Sequence, residues 1–147
     1  NDIQRVSPPP TKEAIRTKVK NGDILISITA ELGLIALAEE LSEECFINQH
    51  IALVSIDGEK YDPYLASTFL CLPPCANQFN RFNDQGAKAG MNLKNVAKLK
   101  VPGLSRGEQK FLANRIRSNE SLVSALATIE KECSTFSRYL ISCLAEG

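Results

Sequence analysis

The chain has 147 residues, 44% hydrophobic and 23% charged, which suits one buried core and leaves no apolar run of membrane-spanning length. Seventeen Lys/Arg balance seventeen Asp/Glu, so no overall charge draws it to a polyanion or a membrane. The five cysteines form an odd set without a disulfide-rich rhythm, the usage expected of reduced thiols in a cytoplasmic protein.

The neutral total conceals charge blocks: +3 over residues 1–20, −8 over 21–64, +7 over 65–117 and −2 thereafter. Binding to nucleic acid follows the local field, so the third block keeps that class open, with a solvated surface as the plain alternative.

Taken in order, the chain opens on NDIQRVSPPP, irregular and without a leader pattern. It lacks an initiator Met, so residue 1 is expected not to be the natural start. Thr11 reads as a cap for a short helix over Lys12–Lys20, and Asn21-Gly22 as a turn. Asp23–Thr29 reads as a strand, Glu31–Gly33 as a kink, and Leu34–Ala38 as the hairpin partner. Glu39–Glu44 is expected as loop and Cys45–Ile47 as a short strand; Ile51–Ile56 is a further strand, stopped by Asp57-Gly58.

Asp62-Pro63 opens a helix over Tyr64–Leu72, with Leu65, Phe69 and Leu72 at helical spacing. Pro73-Pro74 is expected to break it, with a second helical piece over Cys75–Phe82. A loop with Gly86, Lys88 and Gly90 leads to a helical turn at Leu93–Ala97 and a strand over Lys98–Val101. From Ser105, with Glu108 three positions on, a helix is predicted to about Leu144. Leu112, Asn119, Leu126, Cys133 and Leu140 repeat every seven residues, and Leu122, Ile129, Phe136 and Cys143 form a companion series, with Arg115 as its weak position. Such a stripe needs another helix to cover it.

A single histidine, His50, excludes His-rich metal sites and Ser-His-Asp arrangements, and no glycine-rich phosphate fingerprint is present. Cys71 and Cys75 lack a second ligand pair, so they read as apolar thiols and no metal or other cofactor is expected. Asn48-Gln49-His50 has two readings. It is a turn whose polar groups cap neighbouring backbone, or a set of donors and acceptors suited to a base edge.

Five segments then align in order: Gly22-Asp23-Ile24-Leu25, Ile47-Asn48-Gln49-His50, Gly86 to Leu93 (GAKAGMNL), Lys100-Val101-Pro102, and Glu108-Gln109. Each is weak alone; the ordered set resembles the target-recognition domain and following helix of DNA-specificity subunits in type I restriction–modification systems. The resemblance implies a non-catalytic subunit that binds double-stranded DNA. It also implies modification (methyltransferase) subunits that methylate adenine and a restriction motor subunit that completes the complex. A full subunit of this kind holds two recognition domains and two antiparallel spacer helices, whereas one of each occurs here. A C-terminal portion of a longer subunit, with further strands before residue 1, or a half-size subunit forming a homodimer through the C-terminal helix would account for that. Gly103-Leu104-Ser105-Arg106-Gly107 also departs from the usual proline-rich linker.

The expected architecture is α+β. A small mixed or antiparallel sheet domain spans 1–104, and one long coiled-coil helix spans 105–147. Lys88 and Lys94 are expected on phosphates within the basic stretch from Arg81 to Lys100, with Asn92 fixing the loop. Thr29, Glu31, Gln49 and His50 are candidates for base-edge or nearby contacts. Leu112, Leu122, Leu126, Ile129, Phe136 and Leu140 are expected at the helix interface. Two other readings compete: a coiled-coil interaction module that binds no DNA, and the recognition half of a fused restriction–methylation enzyme.

Overall fold

The computed structural model describes residues 11–83 and 90–145, the side chains of 12–14, 137 and 139–145 excepted. The Pro8–Pro10 segment, the Gly86–Lys88 part of the loop and the side chains of Leu140 and Cys143 therefore lie outside the described residues. The fold is α+β. In chain order the elements are α1 (Lys12–Thr17), β1 (Ile24–Ser27), β2 (Ile35–Leu37), β3 (Ile51–Val54), α2 (Pro63–Cys71), α3 (Pro73–Phe82), α4 (Leu93–Val96) and α5 (Arg106–Ala145). The chain divides into two compact units, Asn1–Gln109 and Lys110–Gly147.

In the first unit, the strands form an antiparallel sheet in the order β2-β1-β3. Leu25 lies opposite Ala36 and Leu53, and Ser27 opposite Ile51. Alternation along β1 sends Ile24 and Ile26 inward, where they are fully buried, and Leu25 and Ser27 outward. The inner face packs on Ala66 and Leu70 of α2, Phe79 of α3, Met91, and Val96 of α4.

Local chemistry explains the joints. Gly22 takes φ +88° in the turn before β1, a conformation that suits glycine. The buried Asp23 that follows accepts hydrogen bonds from Lys20 N and from Ser55 Oγ, tying the turn to the end of β3. The hairpin loop between β1 and β2 carries Gly33 at φ +85°, and a Cβ there would lie 2.9 Å from Phe79 Cγ. Close approach of α3 therefore depends on that glycine. Asp62 caps α2 by accepting from Leu65 N, with Pro63 at the first helical position.

Several sequence expectations change. The helix α1 ends at Thr17, not Lys20, because the next residues pair with another segment: Val19 N donates to Cys45 O and Ile47 N to Thr17 O. The strand expected at Cys45–Ile47 is reduced to one bridge between Lys18 and Phe46. Pro73 and Pro74 do not precede α3; they form its first turn, where a missing N–H costs nothing.

The strand expected at Lys98–Val101 is absent. The side chain of Gln78 meets both backbone groups of Lys100, donating from Nε2 to its O at 2.8 Å and accepting from its N at 2.9 Å. Leu99 and Val101 meanwhile pack against the core. A side-chain amide does the work of a neighbouring strand.

The final helix starts with a reciprocal cap: Ser105 N and Oγ donate to Glu108 Oε2 at 2.8 and 2.7 Å, and Glu108 N donates to Ser105 Oγ. These bonds hold the Glu108 carboxyl below the usual carboxylate range. Along the second unit, Leu122, Leu126, Ile129 and Phe136 are exposed, Leu126 at 65%. No helix among the described residues is long and apolar enough to cross a membrane.

Candidate nucleic-acid interface

The start of β3 and the loop after β1 meet through side chains. Asn48 Oδ1 accepts from His50 N, closing a tight turn, and Ile28 N donates to His50 O, which aligns the two strands. This sets Thr29 Oγ1 2.8 Å from His50 Nδ1 and Gln49 Nε2 3.3 Å from His50 Nε2. Both ring nitrogens of His50 thus have a side-chain partner, and the tautomer sets which of them donates. Asn48 is a turn cap, as the first reading of Asn48-Gln49-His50 has it, and Gln49 and His50 are exposed.

Thr29 also forms an antiparallel bridge with Gly90, and Met91 N donates to Ile28 O. Asn83 Oδ1 accepts from Gly90 N at 3.0 Å, so the residues flanking the α3–α4 loop are held on the edge that carries Thr29. Asn83 is a residue that reading the sequence missed. Its partner lies seven positions away across a loop, and no local pattern marks it.

Thr29, Gln49 and His50 thus form one group. The other candidates stand elsewhere. Arg81 on α3 and Lys94 on α4 belong to the helical layer on the inner side of the sheet, and both are exposed. Among the described residues neither has a carboxylate within ion-pair distance, nor does the exposed Lys100, in contrast to Lys18 with Glu44 and Lys60 with Asp57. Asn92 accepts from Asn95 N through Oδ1 and so caps α4, an architectural role compatible with fixing the loop. Glu31 is exposed beside the Thr29 group and brings negative charge to it. Lys88 lies outside the described residues.

Among the described residues no His/Cys/Asp/Glu cluster has the make-up of a metal site. Cys75 is buried and Cys71 exposed, and partial burial pushes the Cys71 thiol pKa up, away from nucleophilic character. Tyr61, raised by burial and then by the charges of Cys75 and Asp62, donates its hydroxyl to Pro102 O and keeps its proton at neutral pH.

The arrangement presents hydrogen-bonding side chains at one end of a sheet and, on the helices, cations that no carboxylate among the described residues pairs with. No protein-family model matches the chain, and a search of curated proteins finds no match.

Proposed function

We propose that this chain is a DNA target-recognition domain followed by a spacer helix, of the kind found in type I restriction–modification specificity subunits. It binds duplex DNA without catalysing a reaction, and partner subunits carry out methylation and cleavage. The ordered series of five motifs carries this reading. Its physical support is the set of exposed cations, Arg81, Lys94 and Lys100, that no described carboxylate neutralises. Thr29, Gln49 and His50 supply groups able to read a base edge, and the exposed apolar stripe on α5 supplies a seam for a second helix.

The test is duplex binding across a salt series, with an Arg81→Glu/Lys94→Glu variant beside the parent chain. Binding should weaken as salt rises, and loss of two phosphate contacts should flatten the slope of log K against log salt by roughly 2. Equal, salt-independent behaviour of both proteins would remove the electrostatic basis of the reading.

A second reading, an interaction module that does not bind DNA, is favoured by the acidic block at residues 21–64, which contains all three strands. The same titration separates the two.

A further inference from the structure

We propose, resting on the DNA-binding reading above, that Asn83 is the positioning residue of the Thr29–Gln49–His50 group. It sets sequence discrimination by holding Gly90 rather than by meeting DNA. Thr29 and His50 line a hollow of about 980 Å³ on the outer face of the sheet, and Asn83 is not part of its wall. Asn83 acts through the backbone. Gly90 bridges Thr29, and the flanking bond from Met91 N to Ile28 O turns the Gly90 N–H away from β1. Asn83 Oδ1 takes that N–H at 3.0 Å, so Gly90 is held by β1 on one side and by Asn83 on the other.

Two sets of groups meet at this bond. Asn83 ends α3, which carries Arg81 in its last turn. Gly90 leads through the buried Met91 to Asn92, the cap of α4, which carries Lys94. A second tie between these helices, from Asn95 Nδ2 to Phe82 O, is longer at 3.4 Å. On the sheet side, Thr29 Oγ1 lies 2.8 Å from His50 Nδ1, and Gln49 Nε2 3.3 Å from His50 Nε2. Without Asn83 the part-buried Gly90 N–H needs another acceptor, and the glycine backbone can rotate to find one. Thr29 then shifts against His50, while Arg81 and Lys94 keep their charges.

The full chain is compared with Asn83→Ala by the ring-nitrogen NMR signals of His50, with Thr29→Val marking a ring that lacks its threonine partner. Asn83→Ala should move the His50 signals toward those of Thr29→Val. Asn83→Asp, which keeps an acceptor for Gly90 N, should return them to the parent values. The Ile24 and Ile26 amide signals report on the fold. Asn83→Ser, polar but too short to reach Gly90, takes the place of Asn83→Ala if that variant unfolds. On DNA, a random-sequence duplex pool is enriched on the parent chain, and the retained duplex is compared with a shuffled one. Asn83→Ala should lower the ratio of the two affinities about fivefold and leave the salt slope unchanged, since no phosphate-binding cation is lost. Asn83→Asp should keep the ratio, although its charge weakens binding of both duplexes. His50 signals that stay at parent values in Asn83→Ala, or an Asn83→Asp that behaves as the alanine variant, would overturn the proposal. So would moved signals with an unchanged affinity ratio. A parent chain that enriches no duplex overturns the DNA reading and the discrimination with it, while the His50 signals still show whether Asn83 holds the group.

Discussion

Gln109 is bonded to the residue that caps α2: its Oε1 accepts from Asp62 N at 2.9 Å. The same side chain donates from Nε2 to Leu104 O at 2.9 Å and to Lys60 O at 3.3 Å, and Arg106 Nη1 donates to its Oε1. Only 2% exposed, Gln109 joins the first turn of α5 to the segment before α2. Replacing it by alanine takes this partner from a part-buried N–H and two carbonyls. We expect Gln109→Ala to lower unfolding stability by about 2–3 kcal/mol. Gln109→Glu should cost at least as much, since a carboxylate would face two carbonyl oxygens. Urea denaturation midpoints at constant m-value measure both.

Gly33 tests the packing of α3 against the hairpin loop. Gly33→Ala combines a positive φ with a Cβ 2.9 Å from the Phe79 ring, which is itself buried. A loss of about 2–4 kcal/mol is expected. Gly58→Ala serves as the control, because nothing lies within 4 Å of its added Cβ, and it should be close to neutral. Equal stabilities for the two variants would contradict the close approach.

Glu108 gives a pH dependence of definite sign. Its carboxyl is lowered in the folded chain, first by the Ser105 hydroxyl and then by the Ser105 backbone N–H. A group depressed on folding stabilises the folded state above its unfolded pKa, and that contribution disappears as pH falls through the folded pKa. The helix cap should therefore hold at neutral pH and weaken in acid, below the ordinary carboxylate value of 4.5. Stability measured against pH for the parent and for Glu108→Ala should differ at neutral pH and converge in acid. Parallel curves throughout would show that the cap carries no such linkage.

The stripe on α5 predicts association. Leu122, Leu126, Ile129 and Phe136 recur at heptad spacing and are all exposed. If they form a seam between copies, helicity and sedimentation should depend on chain concentration, and Leu126→Lys should yield a monomer with reduced helix content. Cys133 lies in the same seven-residue series and is exposed, so mild oxidation reports direction. Parallel helices should crosslink through Cys133, antiparallel ones should not. A parent chain that stays monomeric at all concentrations would rule out this seam as a homodimer contact.

The elements that the sequence announced are those whose causes lie within a few residues. Asp62-Pro63 holds both a cap and a first-turn proline, so α2 was legible, and the Ser105–Glu108 pair announced α5. The elements that changed depend on distant partners. Lys98–Val101 reads locally as a strand, but Gln78, 22 positions away, takes both backbone groups of Lys100. The apolar run remained as core packing while its pairing went to a side chain.

The same division holds for the candidate site and the fold around it. Residue types and spacing alone are enough to state the blocks of charge, the heptad series, the α+β class and the polar character of Asn48-Gln49-His50, because these are properties of near neighbours in the chain. Folding decided that His50 meets Thr29 from 21 positions away, that Asn83 holds Gly90, and that Asp23 and Gln109 are buried joints. It also decided that Arg81 and Lys94 stand in the helical layer while Thr29 lines the outer hollow. Hydrogen bonds and burial depend on where the backbone brings two groups together, and linear spacing carries no information on that distance once loops intervene.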